Sequence, residues 1–566
     1  MSTSRSPFVL SPVKPSVFHL EDGREVRWEG MFTGHRVLCA REVDEYAGRL
    51  LGVDASVIPT LTLNELVPHH ALAGVNPPAL VLHSTTPTLR AFEGDAAELS
   101  ARRHPHDVAT YTESRSVYLV GAHDLCVGRT EPWREAVDLR RVRAVDVVDT
   151  EYYYLSHALL AMASIHENGG DTPLGELVEW LGRRPEAVVR LYALDVETQI
   201  FLLWLRRKSG LERLQVEANA PVVSARWNRK SHIHPTVSQV IELPTAGLDA
   251  QGILVAEQQH SEAYRRLRMT VPVLPGYLVR RAGVGQAAFV ADVLDAAELL
   301  RSRYHITVAA LKPSEAGDGA RIVGNLDLID HDLLRAAARE AYRHGDDYLL
   351  EAWVEFLTAR LDGSVRPVIP SGHFRHGRVA EGITLQSMDR FSWRGNIYLD
   401  DAAWAELGLP GAAYKTIRHS LETIHAAFLG PQSIADGSHQ GLVVGGVDFA
   451  VGRVGGRFGD RTVVGAIDFN LSSHGAEYLR AFMDEAHALG TGERYGATHV
   501  FVPSAQATLR ELERAATVHA APGALVRAIA CVPQRWAMIA STGTDPGHAM
   551  SRVRAIVDTM TLADSR

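Results

Sequence analysis

The stretch VDFAVGRVGGRFGDRTVVGAIDFN, residues 447–470, is the most informative part of the chain. Two apolar runs of strand length flank a glycine-rich turn, which is the pattern of a β-hairpin. Asp448 lies in the first run, and Asp468 and Asn470 lie two apart in the second, so that last pair shares one face of a strand. Two carboxylates and an amide in apolar surroundings are costly unless a cation neutralises them. Oxygen ligands of this kind suit Mg²⁺, which commonly completes its shell with water and nucleotide phosphates.

The composition is that of a soluble globular protein with several domains. The chain has 566 residues, of which 46% are hydrophobic and 22% charged, and its formal net charge is −9. No basic stripe indicates a nucleic-acid or anionic-membrane surface, and no apolar run is long enough to span a bilayer. The cysteines Cys39, Cys126 and Cys531 form no CxxC pair, which argues against a zinc ribbon or a disulfide framework. We therefore expect a cytoplasmic protein without a signal peptide.

Short strands alternate with helices along most of the chain, which predicts an α/β (α+β) protein. Between residues 152 and 212 the pattern becomes helical, with apolar faces in YYYLSHALLAMASIHENGG, LGELVEWLGRR and AVVRLYALDVETQIFLLWLRRKSG. We expect a flexible lead, an N-terminal α/β domain with a helical second half, a central subdomain, a subdomain with the metal site, and a C-terminal α/β extension. Their predicted bounds are 1–16, 17–215, 216–345, 346–490 and 491–566.

Two lysines precede the hairpin in contexts that suit a phosphate chain. Lys312 ends a strand and is followed by PSEAGDG, whose glycines allow backbone N–H groups to approach a phosphate closely. The same segment could be an ordinary hairpin turn. Lys230 lies in RWNRKSHIHP, which could border a cleft or form a solvated basic turn. Taken alone, the solvated turn is the more frequent case.

A third segment, DDYLLEAWVEF, is a nearly continuous apolar strand that contains Glu351. Trp353 and Val354 at its end could place an aromatic ring against a purine. The alternative is an edge strand whose glutamates face solvent. Gln386 stands farther along, inside another apolar strand.

The order of these segments resembles the ATP-grasp superfamily from about residue 218 to residue 490. The resemblance implies an ATP-grasp fold preceded by a pre-ATP-grasp domain, with ATP and Mg²⁺ as cofactors. It identifies Asp448, Asp468 and Asn470 as metal ligands. The residues that it implies for nucleotide binding are the two lysines, the phosphate loop, the adenine linker and a strand glutamine, namely Lys230, Lys312, Ser314, Gly317, Gly319, Glu351, Trp353, Val354 and Gln386.

Within the superfamily, WNRK, GVDF and AIDFNLSSHG are most similar to pheganomycin-type peptide ligases. This resemblance implies an ADP-forming carboxylate–amine ligase of specialised metabolism that acts through an acyl phosphate. The chain departs from the pattern after Asn470, where relatives continue with Leu-Arg. Arg394, Arg480 or His474 could replace that arginine. We count Lys230, Lys312, Arg394 and Arg480 as catalytic candidates.

The expected partners are a small carboxylate and an amine, such as an amino acid or peptide, with neither nucleic acid nor membrane, and a homodimer is compatible with the sequence. Two alternatives remain at this stage. The same ATP site could serve a kinase or a carboxylate–thiol ligase. A degenerate ATP-grasp fold could also bind a nucleotide without catalysis.

Overall fold

The computed structural model describes five sheets with flanking helices. The described residues are 12–19, 23, 25–31, 66–68, 77–83, 108–147, 155–194, 196–219, 223, 228, 230, 271–314, 321–389, 392–429, 442–504, 506–532 and 536–561. Gly317 and Gly319 of the predicted phosphate loop, and Cys39, lie outside these ranges. None of the described helices is both long enough and apolar enough to cross a membrane.

The N-terminal unit contains a hairpin and a six-stranded sheet. The hairpin strands are β1 (Pro12–His19) and β2 (Glu25–Met31), so β1 begins inside the stretch predicted to be a flexible lead. The larger sheet consists of β3 (Leu66–Pro68), β4 (Ala79–Leu82), β5 (Leu125–Gly128), β6 (Ala144–Asp146), β7 (Val188–Leu191) and β8 (Leu214–Glu217), paired in parallel in the order β3-β8-β7-β4-β5-β6. Parallel strands are usually covered on both faces, which agrees with their short, apolar sequences.

Five α-helices of the described residues accompany these strands: α1 (Val108–Ser116), α2 (Arg134–Arg140), α3 (Leu155–Glu167), α4 (Leu174–Gly182) and α5 (Val196–Lys208). The prediction of a single helix over residues 187–210 is wrong, because that segment forms β7 and then α5. A short apolar run with two adjacent valines, Val188 and Val189, fits a buried strand as well as a helix. Its pairing with β4 and β8 resolves the ambiguity.

The central unit is a four-stranded antiparallel sheet with two helices. It contains β9 (Gly276–Val279), α6 (Gln286–Tyr304), β10 (Val308–Pro313), β11 (Val323–Asp327), α7 (His331–His344) and β12 (Tyr348–Ala352), with the strand order β11-β10-β12-β9. The apolar faces of α6 and α7 pack on this sheet in one core. Since β12 belongs here, the predicted boundary at residue 345 lies before the last strand of this unit.

A ten-stranded sheet spans the rest of the chain. Its main path runs β13-β20-β16-β18-β19-β22-β24-β23, with β17 on β16 and β21 on β20, and a separate hairpin pairs β14 with β15. The elements are β13 (Glu355–Phe356), β14 (Thr358–Leu361), β15 (Ser364–Pro367), β16 (Pro370–Arg375), β17 (Arg378–Val379), β18 (Ile383–Asp389), β19 (Ser392–Leu399), α8 (Asp401–Glu406), α9 (Gly411–Ala427), β20 (Gly445–Arg453), β21 (Val463–Asn470), α10 (Ala476–Ala488), β22 (Tyr495–Phe501), α11 (Leu509–His519), β23 (Val526–Val532), β24 (Trp536–Gly543) and α12 (Pro546–Thr561). Because β22 pairs with β19, this sheet continues across the predicted boundary at residue 490.

The predicted hairpin of residues 447–470 is present as β20 and β21, with Asp448 opposite Asp468. It also contacts the central unit, since Ala466 N donates to Pro272 O at 2.9 Å and Ala450 joins the core of the four-stranded sheet. A Cβ on Gly465 would lie 2.9 Å from the backbone nitrogen of Leu274, so this approach requires glycine. The hairpin therefore forms the junction between the two sheets.

Candidate active site

A cavity of about 730 Å³ lies at this junction. Its walls come from β10 and β12 of the central unit, from β16, β18 and the hairpin of the large sheet, and from the start of α10. Most of the residues that the sequence nominated line this one cavity. Chain segments that are far apart in sequence thus meet around a single space, which is the usual form of a small-molecule site.

Lys312 and Glu351 form a buried ion pair on one wall. Lys312 Nζ donates to Glu351 Oε1 at 2.6 Å, and the two residues are 8% and 2% exposed. The antiparallel register of β10 and β12 places Ala310 opposite Glu351, so Lys312 and Glu351 lie diagonally on the same face. Burial raises the pKa of Glu351, and the charge of Lys312 opposes that rise. The glutamate of the predicted adenine linker is therefore the neutralising partner of the predicted phosphate lysine.

Lys230 reaches the same cavity from a separate segment. Its Nζ lies 2.8 Å from Asp468 Oδ1, and its backbone N donates to Ser314 O at 3.2 Å. The second contact places residue 230 beside the end of β10, where the predicted phosphate loop begins. Ser314 supplies that carbonyl but does not itself line the cavity.

The two carboxylates of the hairpin, Asp448 and Asp468, lie opposite each other and line the cavity. Ser371 Oγ donates to Asp448 Oδ1 at 2.6 Å, and Asn470 Nδ2 approaches Asp448 Oδ2 at 3.3 Å. Burial, and then the charge of Asp468, raise the pKa of Asp448 to about 6, while hydrogen bonds from Ser371 and Gln386 lower it. Gln386 thus lies against a predicted metal ligand.

The donor set fits Mg²⁺. Asp448, Asp468 and the Asn470 amide offer oxygen ligands, and the mutual repulsion of the two carboxylates favours a cation between them. Among the described residues there is no cluster of three or more His, Cys, Asp or Glu side chains that could hold a metal.

The predicted adenine linker borders the cavity on the apolar side. Trp353, Val354 and Phe356 line it beside Leu274. Trp353 N donates to Val308 O at 3.0 Å, which fixes the chain as it leaves β12. This wall could cover the flat face of a base.

The far end of the cavity is formed by residues that the sequence did not nominate. Arg115 of α1 and Tyr192 enter from the N-terminal unit, and Trp393, His373 and Asn396 enter from the large sheet. Nothing in the sequence TYTESRS distinguishes Arg115 from a solvent-exposed helix residue. The imidazoles of His373 and His474 stack with centroids 4.6 Å apart, and burial lowers the pKa of His474 to about 4.

Arg394 and Arg480 do not line the cavity. Arg394 lies 3.3 Å from Asp389, with its guanidinium over Trp536. Arg480 donates to the carbonyl of Glu381 and stacks on Tyr398. Of the three replacements considered for the missing arginine, only His474 contributes to the cavity wall.

The two lysines, the linker and the acidic hairpin line one cavity, as the order of these segments in the sequence led us to expect. This arrangement resembles the ATP-grasp fold. The resemblance rests on the strand order and on the meeting of Lys230, Lys312, Asp448 and Asp468, together with Asn470, in one cleft between two sheets. The α/β (α+β) class is confirmed.

Several solved ATP-grasp structures are similar to the chain. N5-carboxyaminoimidazole synthase from Aspergillus clavatus, in complex with ADP and 5-aminoimidazole ribonucleotide, is 11% identical with a TM-score of 0.42, over 86% of this chain and 99% of that one. D-cycloserine synthetase is 12% identical with a TM-score of 0.31, over 73% and 100%. The MgADP-bound biotin carboxylase domain of Hydrogenobacter thermophilus 2-oxoglutarate carboxylase is 11% identical with a TM-score of 0.40, over 85% and 89%.

With TM-scores below 0.5, these similarities carry no weight in assigning a substrate. No family model matches the chain, and no curated protein matches it.

Proposed function

We propose that the protein is an ATP-dependent carboxylate–amine ligase that forms an amide or peptide bond through an acyl phosphate and releases ADP. The observation that carries this proposal is the placement of two buried lysines, Lys230 and Lys312, around a carboxylate pair in one cavity. Such a cavity can hold a nucleotide triphosphate and neutralise the phosphoryl group that it transfers. The resemblance to pheganomycin-type ligases supports a role in specialised metabolism.

In the first step, a substrate carboxylate oxygen attacks the γ-phosphorus of ATP and ADP leaves. Lys230 and Lys312 would stabilise the negative charge on the transferring group, after exchanging Asp468 and Glu351 for phosphate oxygens. Trp353, Val354 and Phe356 would hold the adenine away from water. Mg²⁺, held by Asp448, Asp468 and Asn470, would neutralise the phosphate oxygens.

In the second step, the nitrogen of the amine attacks the acyl carbon, and inorganic phosphate leaves as the nitrogen loses a proton. The chain needs no covalent nucleophile for this sequence. Exclusion of water from the cavity protects the acyl phosphate from hydrolysis. We expect the acid and the amine, both small molecules, to occupy the part of the cavity beyond the hairpin.

The test measures ADP release by the full-length protein with Mg²⁺ and ATP, over panels of acids and amines, with mass spectrometry of the amide product. We expect release to require both substrates and Mg²⁺, and to fall at least about 100-fold in Lys312→Ala and Asp468→Ala. Lys415→Ala and Asp332→Ala, which change the same residue types on exposed helix surfaces, are the matched controls. Full turnover in the two cavity variants would refute the assignment. A phosphorylated product would instead indicate a kinase, and a thioester product a carboxylate–thiol ligase, with the same ATP site.

A further inference from the structure

The cavity extends past the hairpin to a buried arginine. Arg115 lines the cavity although it is only 6% exposed. Its guanidinium lies 5.1, 5.5 and 4.8 Å from the ring centroids of Tyr111, Tyr192 and Tyr478. These rings attract a cation through their faces, but as neutral phenols they supply no counter-charge.

No carboxylate among the described residues neutralises Arg115. The titratable groups that act on it are the same three tyrosines, of which Tyr192 and Tyr111 also form hydrogen bonds with it, and its Nε has no hydrogen-bond acceptor within the described part of the chain. Of the other arginines that are buried to a similar extent among the described residues, Arg552 lies 2.8 Å from Glu493, whereas Arg480 has only the Glu381 carbonyl and the ring of Tyr398 and does not line the cavity. Because an uncompensated buried cation is costly, the position of Arg115 at the cavity wall indicates that an anion reaches it from the cavity.

The surrounding groups also favour an anion. Gly475 and Ala476, at the start of α10, line the same end of the cavity, and a helix N-terminus carries partial positive charge. Asn396 Nδ2 is buried at this end without an acceptor among the described residues. Guanidinium, amide and helix terminus are all groups that bind a carboxylate.

This end is built from other elements than the metal end. Arg115 belongs to α1 and contacts the rings of Tyr192 and Tyr478, whereas Asp448 and Asp468 lie opposite each other on β20 and β21. We therefore take an anion held by Arg115 to be a different group from the carboxylate that would be phosphorylated beside Asp448.

We infer that Arg115 binds a second carboxylate of a substrate, one that does not react. This inference rests on the proposed function. The group is either the α-carboxylate of an amino-acid or peptide amine, or the distal carboxylate of a dicarboxylic acid. In both cases Arg115 selects the substrate and positions it for reaction.

The test compares four probe pools on the full-length protein: the proteinogenic L-amino acids, their C-terminal amides, linear dicarboxylic acids, and the corresponding monoamides. Thermal stabilisation by each pool without nucleotide reports binding. ADP release with Mg²⁺ and ATP, from an amino-acid pool combined with a dicarboxylic-acid or monoamide pool, reports turnover. We expect one carboxylate pool to bind roughly 10- to 100-fold more tightly than its amide counterpart. The pool that does so identifies the source of the carboxylate.

Arg115→Met should abolish this discrimination, and Arg115→Lys should retain part of it. Arg140→Met is the matched control, because Arg140 is also stacked on a tyrosine, Tyr118, but does not line this cavity. A purely structural role for Arg115 would lower the unliganded melting temperature of Arg115→Met, whereas a ligand role leaves it unchanged or raised.

Equal binding of carboxylates and amides by the wild-type protein, or binding of neither, would overturn the inference. Discrimination that survives in both Arg115 variants would do the same. If the wild-type protein discriminates without nucleotide but releases no ADP with any pool, the carboxylate subsite stands and the proposed reaction fails. The two ideas can therefore fail separately.

Discussion

Removal of one partner of the Lys312–Glu351 pair should destabilise the protein far more than removal of both. In Glu351→Met the ammonium of Lys312 remains buried without its carboxylate. In the double variant with Lys312→Met, neither charge remains and both positions carry apolar side chains of similar length. The two single variants, the double variant and the wild type form a complete thermodynamic cycle.

The magnitude follows from the distance and the burial. At 2.6 Å the Coulomb attraction is about 6 kcal/mol with an effective dielectric constant near 20. Desolvation of both charges offsets much of this energy, so the intact pair contributes little net stability. Loss of one partner should cost roughly 3–5 kcal/mol, and the double variant should return to within about 1 kcal/mol of the wild type.

Urea unfolding at neutral pH measures each corner of the cycle. The matched control is the exposed pair of Asp332 and Arg335, whose Nη1–Oδ1 distance is 3.0 Å and whose side chains are 95% and 41% exposed. Its coupling should be near zero, because solvent screens exposed ion pairs. Addition of Mg²⁺ and ATP should stabilise Glu351→Met more than the wild type, because phosphate oxygens would then replace the missing carboxylate.

A coupling for Lys312 and Glu351 no larger than that of the exposed pair would refute the reasoning. A double variant as unstable as Glu351→Met would refute it as well, because the loss would then come from packing rather than from an unpaired charge. If Mg²⁺ and ATP stabilise both proteins equally, Lys312 does not exchange Glu351 for phosphate.

Two further predictions concern the contact between the N-terminal unit and the hairpin, and the response of the fold to acid. Asn219→Ala should cost about 3 kcal/mol in urea unfolding, because the buried Asn219 amide donates to Val444 O and Leu471 O at 2.6 and 2.9 Å. The exposed Asn168→Ala should cost under about 0.5 kcal/mol, and equal effects would contradict the prediction. Burial, and then the charge of Arg115, lower the pKa of His83 to about 3 in the folded protein. As the pH falls below about 6.5, His83 therefore binds a proton in the unfolded chain but not in the folded one. The contribution of neutral His83 to the free energy of unfolding is therefore fully present above about pH 6.5 and decreases as the pH falls toward 3. Between pH 7.5 and pH 5, the free energy of unfolding of His83→Gln should decrease by about 2 kcal/mol less than that of the wild type. Identical pH profiles would show that His83 titrates normally in the fold.

The hairpin and its acids could be predicted because everything that specifies them is local. Alternating apolar residues, a glycine-rich turn and the spacing of Asp468 and Asn470 lie within residues 447–470. Once the two strands pair, Asp448 must lie near Asp468. The fold class and the convergence of Lys230 and Lys312 on these acids followed from the order of motifs along the chain.

Pairings between distant strands could not be predicted in the same way. The contact of Lys312 with Glu351 needs β12 to lie beside β10, although β11 separates them in sequence. The continuation of the large sheet beyond residue 490 likewise depends on the pairing of Ile397 with Ala497. Both pairings are determined by tertiary packing, and the local periodicity of the sequence does not specify them.

Arg115 shows the same limit at the level of one side chain. Its sequence neighbours indicate an ordinary helix, and its place in the cavity depends on Tyr192 and Tyr478, which come from different parts of the chain. What distinguishes it is that it lacks a carboxylate partner and also lines the cavity, and both facts become visible only when all neighbours are in position. The metal end could be inferred from the residues that it contains. The substrate end could not, because its main feature is a buried guanidinium, Arg115, whose counter-charge we expect the ligand to supply.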